Sequence, residues 1–132
     1  MSFLLDTDIC SAHLKVPGLL TGRFLQYMGR LHVSAITMSD LYDWALRAHA
    51  SPKRLRGVND LLNDVTVLDV DLAVALKYGE IQAAFRDVGQ PAPAMDLLIG
   101  STALIHGLTM VTHNVQVFAN IPGLHIVDWL GP

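Results

Sequence analysis

Three aspartates, Asp6, Asp40 and Asp96, are the residues whose type and spacing point most directly to chemistry. Each lies at or near the start of a predicted helix. One interpretation is helix capping, because a carboxylate accepts hydrogen bonds from the free N–H groups of a first helical turn and complements the helix dipole. Within this interpretation Thr37 and Asp40 form a capping box. The other interpretation is a cation site, because carboxylate oxygens are the ligands that Mg²⁺ and Mn²⁺ prefer.

The elements that must position these acids alternate along the chain. Short apolar runs at 3–5, 33–36, 65–68, 110–111 and 125–127 are typical of buried strands, and segments 37–50, 71–88 and 95–106 have helical spacing. This alternation predicts an α/β fold, a three-layer sandwich with a central, mostly parallel sheet flanked by helices. The length of 132 residues predicts one domain, 1–132.

A parallel sheet gathers the predicted site at one edge, because all of its strands end there. Asp6 ends the first strand, Asp40 lies just beyond the second and Asn114 follows the fourth. Carboxylates that converge at such an edge repel one another unless a cation lies between them. A bound Mg²⁺ or Mn²⁺ polarises a phosphoryl oxygen and lowers the pKa of its water ligand. We therefore expect a phosphodiester substrate.

Composition excludes several classes of protein. Hydrophobic residues make up 52% of the chain and charged residues 16%, which argues against disorder, and no apolar run has the length of a membrane helix. The acidic N-terminal segment does not resemble a signal peptide. Cys10 is the only cysteine, which excludes an internal disulfide and favours a reducing, cytoplasmic setting. A net charge of −3 excludes nucleic-acid binding by bulk charge alone, although a local basic patch stays possible.

Four stretches carry a resemblance to a known family. LLDTDICS, AITMSDLYDWALRA, GQPAPAMDLLIGSTALIHGL and MVTHNVQVFANIPGLHIVDWL together cover about half of the chain. In this order they resemble the VapC toxins of the PIN-domain ribonuclease family. The resemblance implies an endoribonuclease that depends on Mg²⁺ or Mn²⁺ and often cuts tRNA or another structured RNA. It also implies a homodimer that a VapB-type antitoxin holds inactive.

The resemblance also assigns roles to individual residues. Asp6, Asp40 and Asp96 match the catalytic, metal-binding acids, although the second of these is usually Glu in the family. Supporting roles fall to Thr7, Asp8, Thr112 and Asn114. With a ribonuclease function, His113 is a candidate contact to the RNA. A basic run is a second candidate, and it comprises Arg47, Lys53, Arg54 and Arg56. The alternative interpretation of this run is a solvent-exposed face without a binding role.

One position departs from the family pattern. The family commonly carries a fourth carboxylate just before the phenylalanine of the last motif, and this chain has Val117 there. We therefore expect a weaker metal site and doubt a second metal ion. Val117 either faces the site or packs into the core beside Phe118. An alternative function follows from this departure, namely a catalytically weakened PIN-like domain that acts mainly by binding the antitoxin.

A second alternative comes from the spacing of Asp6 and Asp8. A D-x-D pattern after an apolar strand also occurs in phosphatases of the haloacid-dehalogenase type. Those enzymes need a lysine near a late strand, and the lysines here are at positions 15, 53 and 77. A receiver-like domain needs a similar lysine. Both interpretations are therefore weaker than that of a ribonuclease.

Overall fold

A computed structural model describes residues 1–131, so Pro132, the last residue of the predicted domain, lies outside the described residues. The strands are β1 (Phe3–Leu5), β2 (Leu31–Ser34), β3 (Thr66–Leu68), β4 (Thr109–Val111) and β5 (Ile126–Val127). The helices are α1 (Thr7–Lys15), α2 (Thr21–Gln26), α3 (Ala35–Ala45), α4 (Pro52–Leu61), α5 (Leu72–Asp87), α6 (Ala94–Ile105) and α7 (Val115–Phe118). Within residues 1–131, no helix has the length and apolar character needed to cross a membrane.

The strands form one parallel sheet in the order β3-β2-β1-β4-β5. Side chains of β1 alternate between its two faces, so Phe3 and Leu5 pack in one core cluster and Leu4 packs in the other. The first cluster lies against α1 to α4 and the second against α5 to α7. Because both faces are covered, the whole strand is apolar. The predicted three-layer α/β sandwich is confirmed.

The structure differs from the sequence prediction at α3 and α4. The predicted helical segment 37–50 begins earlier, at Ala35, and ends earlier, at Ala45. Helix α3 begins at Ala35, where the Ser34 side chain accepts a hydrogen bond from Ile36 N (3.1 Å). The capping box predicted at Thr37 and Asp40 is therefore wrong, because Ser34 already caps this helix. Helix α4 has no counterpart among the predicted elements, since its charged residues obscure the apolar spacing of Val58 and Leu61.

Helix α5 ends where Gly89 permits a reversal of the chain. Gly89 has a positive φ of 74°, a conformation that glycine adopts without steric cost. Gly89 N then donates to Arg86 O (2.9 Å) and Gln90 N donates to Phe85 O (2.8 Å). This arrangement satisfies the last carbonyls of the helix and directs the following residues toward α6.

Candidate active site

Asp6 lies at the junction between β1 and α1. Its backbone N–H donates to Val111 O (2.9 Å), which ties it to the end of the neighbouring strand β4. Its carboxylate caps α1 by accepting from Thr7 N (2.8 Å), so capping is correct for this residue. The other carboxylate oxygen accepts from Thr112 Oγ1 (2.9 Å). The residue is only 7% exposed. Each oxygen keeps a lone pair for a further ligand.

Thr112 joins the ends of β1 and β4. Its buried hydroxyl donates to Asp6, also lies 3.4 Å from Asp8 Oδ2, and accepts from Asn114 N (3.0 Å). The same Asp8 oxygen accepts from His113 N (3.0 Å). These contacts bring Asp8, Thr112 and Asn114 to Asp6, as expected for residues that follow adjacent parallel strands.

Asp40 reaches the same edge from the second turn of α3. Its Oδ2 accepts a hydrogen bond from Thr7 Oγ1 (3.0 Å), which also lies 3.3 Å from Thr37 Oγ1. Thr7 therefore connects the start of α1 to α3. The sequence interpretation missed the contact of the buried Thr37 with Thr7, because it treated Thr37 only as a helix cap.

Asp96 is the third residue of α6. Pro93 occupies the N-cap position of this helix, which has no side-chain capping bond. Asp96 lies in the first turn, where its charge complements the helix dipole, and its side chain is half-buried. Burial raises the pKa of Asp96, and the negative charges of Asp40 and Asp8 raise it further. Asp96 thus lies close enough to Asp40 and Asp8 for their negative charges to raise its pKa.

Electrostatics link all four carboxylates. The pKa of Asp6 is raised to about 6, mainly by burial and also by the charges of Asp8 and Asp96, while the hydrogen bonds from Thr112 and Thr7 lower it in part. The ion pairs formed within residues 1–131 are Arg47–Asp43, Lys77–Glu80 and His113–Asp128, and none of them includes a member of this cluster. We call Asp6, Asp8, Asp40 and Asp96 the acidic cluster. Its repulsion has no cationic side chain in contact to offset it.

The donors of the acidic cluster suit a hard divalent cation, because all of them are carboxylate oxygens. Within the described residues, however, no three His, Cys, Asp or Glu side chains are grouped closely enough to hold a metal ion as they stand. The type of donor atom therefore suits Mg²⁺ or Mn²⁺. The side chains in residues 1–131 are not close enough together for three of them to bind one ion at the same time.

The predicted RNA contacts lie in varied surroundings. Arg47 pairs with Asp43 (2.9 Å), and Arg54 donates to Trp44 O (3.1 Å) with its guanidinium 4.9 Å from the Trp44 ring centroid. Lys53 and Arg56 are exposed on α4. His113 pairs with Asp128 (2.9 Å) beside the acidic cluster. The structure thus brings His113 to the site, and it gives Arg47 and Arg54 partners elsewhere.

Val117 is partly buried on α7. It packs against the second core cluster, which includes Phe118, and it also lines a surface cavity beside Gln116. Packing against the core, one of the two placements predicted for this residue, is therefore observed.

Together these features define a class, the parallel α/β/α proteins with acidic residues gathered at the carboxyl edge of the sheet. Residues 3–124 match the PIN domain, and the chain belongs to the PIN-domain family. This match supports the ribonuclease interpretation over the phosphatase that the D-x-D spacing also suggested.

The relatives of this chain agree with that assignment. The chain is 33% identical to the tRNA(fMet)-specific endonuclease VapC of Salmonella typhimurium over 98% of both proteins, and 31% identical to the protein of the same name from Shigella flexneri, with the same coverage. A DNA-bound VapBC structure from Salmonella typhimurium contains a chain with a TM-score of 0.90 and 33% identity, covering 98% of both chains. VapBC-1 from nontypeable Haemophilus influenzae gives a TM-score of 0.85 at 28% identity, covering 99% of this chain and 100% of the other.

Proposed function

We propose that this protein is a metal-dependent endoribonuclease, the toxin of a VapBC-type toxin–antitoxin pair, and that it acts in the cytoplasm. The observation that carries the proposal is the acidic cluster at the carboxyl edge of the sheet, held by Thr7 and Thr112. The names of the VapC relatives support the reaction class, since these proteins are called endonucleases or ribonucleases.

Asp6 and Asp96 are the residues that we propose to hold Mg²⁺ or Mn²⁺, with Asp40 beside them and water as the remaining ligands. When bound, such an ion polarises a phosphoryl oxygen and supplies a water of lowered pKa. Thr112 holds the Asp6 carboxylate through its hydroxyl, and Thr7 does the same for Asp40. The burial of Asp6 keeps bulk water from screening its charge. Thr7 and Thr112 therefore orient the carboxylate oxygens that would hold the cation.

The substrate that we propose is tRNA, as in the names of the Salmonella and Shigella relatives. The test is to incubate purified, antitoxin-free protein with initiator tRNA(fMet) and with elongator tRNA(Met) as a matched control, in Mg²⁺, Mn²⁺ or EDTA. We expect fragments of defined ends from the initiator tRNA only when a divalent cation is present. If the protein cuts neither of these tRNAs and no other RNA in total cellular RNA, the proposal is contradicted.

The proposed partners are a VapB-type antitoxin and a second copy of the chain. The structural neighbours from Salmonella and Haemophilus are VapBC complexes. Exposed apolar side chains on β3 and α5, namely Val67, Leu72 and Leu76, offer a surface that a second copy would cover. We expect light scattering to give the mass of a dimer, and a Leu72→Glu variant to give that of a monomer.

The weakened, antitoxin-binding domain is the second candidate function, and Val117 favours it. No carboxylate stands at this position, and the side chain packs against the core. Tight binding of the antitoxin without cleavage of any RNA would support this candidate instead.

A further inference from the structure

A cavity of about 390 Å³ opens between the end of α5, the segment that leads into α6, and α7. Its apolar surface includes Phe85, Val88 and Val117. Three amide side chains, those of Gln90, Gln116 and Asn120, also line it. We call this site the amide cavity. None of its lining residues carries a charge.

Hydrogen bonds and core packing hold part of the wall of the amide cavity in place. The buried Gln82 donates from Nε2 to Ala92 O (2.7 Å) and accepts at Oε1 from Ala92 N (2.9 Å), so both backbone polar groups of Ala92 are paired. Pro91 and Pro93 flank Ala92 and fix their own φ angles. The side chains of Phe85 and Val117 pack against the second core cluster. The cavity therefore exists before any ligand binds.

Two short segments of chain connect the lining of the amide cavity to residues of the candidate site. Pro93 lines the cavity and is the N-cap of α6, and Asp96 follows three residues later, a rise of about 5 Å along a helix. Gln116 lies two residues after Asn114, whose backbone N–H contacts Thr112. A chain whose phosphodiester lies at the acidic cluster can therefore place a neighbouring group in the cavity.

We propose that the amide cavity receives one unpaired base of the RNA, next to the phosphodiester that is cut. The inference rests on the proposed ribonuclease function. A neutral lining does not suit a phosphate or a metal ion. Amide groups offer both donors and acceptors to the edge of a base, and apolar or aromatic side chains contact its face. Gln90, Gln116 and Asn120 are thus specificity-determining residues.

The test uses variants that keep the shape of these side chains and remove their hydrogen bonds. Gln116→Met and Asn120→Leu, singly and together, are compared with Gln26→Met, an exposed amide on α2 in the opposite helical layer. Each protein is given a pool of RNAs randomised around the cut site, and fragment ends are sequenced. We expect wild type and Gln26→Met to share a base preference at one position beside the cut. In the double variant this base preference should be about tenfold weaker, equivalent to about 1.4 kcal/mol.

Binding is measured separately from cleavage. Short single-stranded RNAs with and without a base at the preferred position are titrated against each protein in EDTA, and melting curves check that the variants fold. Tighter binding of the base-containing RNA by wild type, lost in the double variant, supports the inference. Equal binding and an unchanged cleavage profile in the double variant would overturn it, as would weaker antitoxin binding as the only effect. Absence of cleavage by wild type contradicts the ribonuclease function instead.

Discussion

Asp6 is a buried carboxylate that the surrounding protein does not neutralise. Its two oxygens accept hydrogen bonds from Thr7 N and Thr112 Oγ1, yet burial and the charges of Asp8 and Asp96 still raise its pKa to about 6. Without a compensating positive charge, the ionised side chain therefore destabilises the fold.

We expect Asp6→Asn to stabilise the metal-free protein at pH 7. A folded-state pKa of about 6, against 3.8 for the ordinary carboxyl, means that the folded protein binds this proton more tightly than the unfolded chain. Stability is therefore lost as pH rises from about 4 through 6, by up to about 3 kcal/mol. Asparagine has no such charge and still caps α1. Urea unfolding in EDTA measures the difference.

The pH dependence of the stability difference shows whether it comes from the charge of Asp6 or from a change that does not depend on charge. The gap between Asp6→Asn and wild type should shrink greatly at pH 4, where the folded wild-type carboxyl is protonated. Asp69→Asn, at an exposed aspartate after β3, is the matched control. A gap that stays constant from pH 4 to pH 7, or a less stable Asp6→Asn at pH 7, would show that Asp6 is not destabilised by its charge.

Thr112 is the second residue whose role can be isolated. Thr112→Val keeps the shape of the side chain but leaves Asp6 Oδ2 and Asn114 N without their partner. We expect a loss of about 1–3 kcal/mol in the free energy of unfolding and slower RNA cleavage. Thr112→Ser retains the hydroxyl and should remain near wild type in both measurements. Equal behaviour of the two variants would mean that the hydroxyl does not position Asp6.

The contacts of these residues show what the sequence can reveal at this scale. Asp6, Asp8 and Thr112 follow strands, so their convergence could be predicted from a parallel sheet. The bond from Thr7 to Asp40 could not, because it joins side chains 33 positions apart through the orientation of two helices. The role of Thr37 was obscured for the same reason.

At the scale of elements, the strands were the most predictable part of the chain. Both faces of the sheet are covered by helices, so Leu4, Leu5 and Val111 are all buried although they point to different faces. Strands of this kind have continuous apolar runs in the sequence. The start of α3 was not predictable, because Ser34 and Thr37 are both acceptable caps and only packing against the sheet decides between them. Helix α4 was missed, since its polar side chains cover most of its surface.

A pair of glycines tests how tightly α6 packs. Gly79 in α5 has open space where a Cβ would lie, so Gly79→Ala should raise stability by about 0.5–1 kcal/mol through helix propensity. A Cβ on Gly100 in α6 would lie 2.7 Å from Ile121 Cδ1, in the buried core. Gly100→Ala should therefore be less stable than Gly79→Ala by about 1–3 kcal/mol. Thermal or urea unfolding compares the two, and equal stability would contradict this packing of α6.

For the whole molecule, only folding brings the acidic cluster together. A cation that binds the folded state alone should therefore raise the melting temperature. At roughly ten times its Kd, Mg²⁺ or Mn²⁺ should add about 1.4 kcal/mol, a rise of a few degrees for a chain of this size. The effect should vanish in the triple variant Asp6→Asn, Asp40→Asn, Asp96→Asn. An equal rise in wild type and triple variant, or in matched NaCl, would place the cation elsewhere.

Cleavage of RNA by Asp96→Asn tests the central claim most directly. Asp96 makes no capping hydrogen bond, so asparagine should leave the fold intact while removing a charge from the acidic cluster. We predict that wild type cuts tRNA with Mg²⁺ or Mn²⁺ but not in EDTA, and that Asp96→Asn is slower by at least about 100-fold. Asp87→Asn, at the exposed end of α5, should match wild type. Undiminished cleavage by a folded Asp96→Asn protein would contradict the catalytic assignment of the acidic cluster.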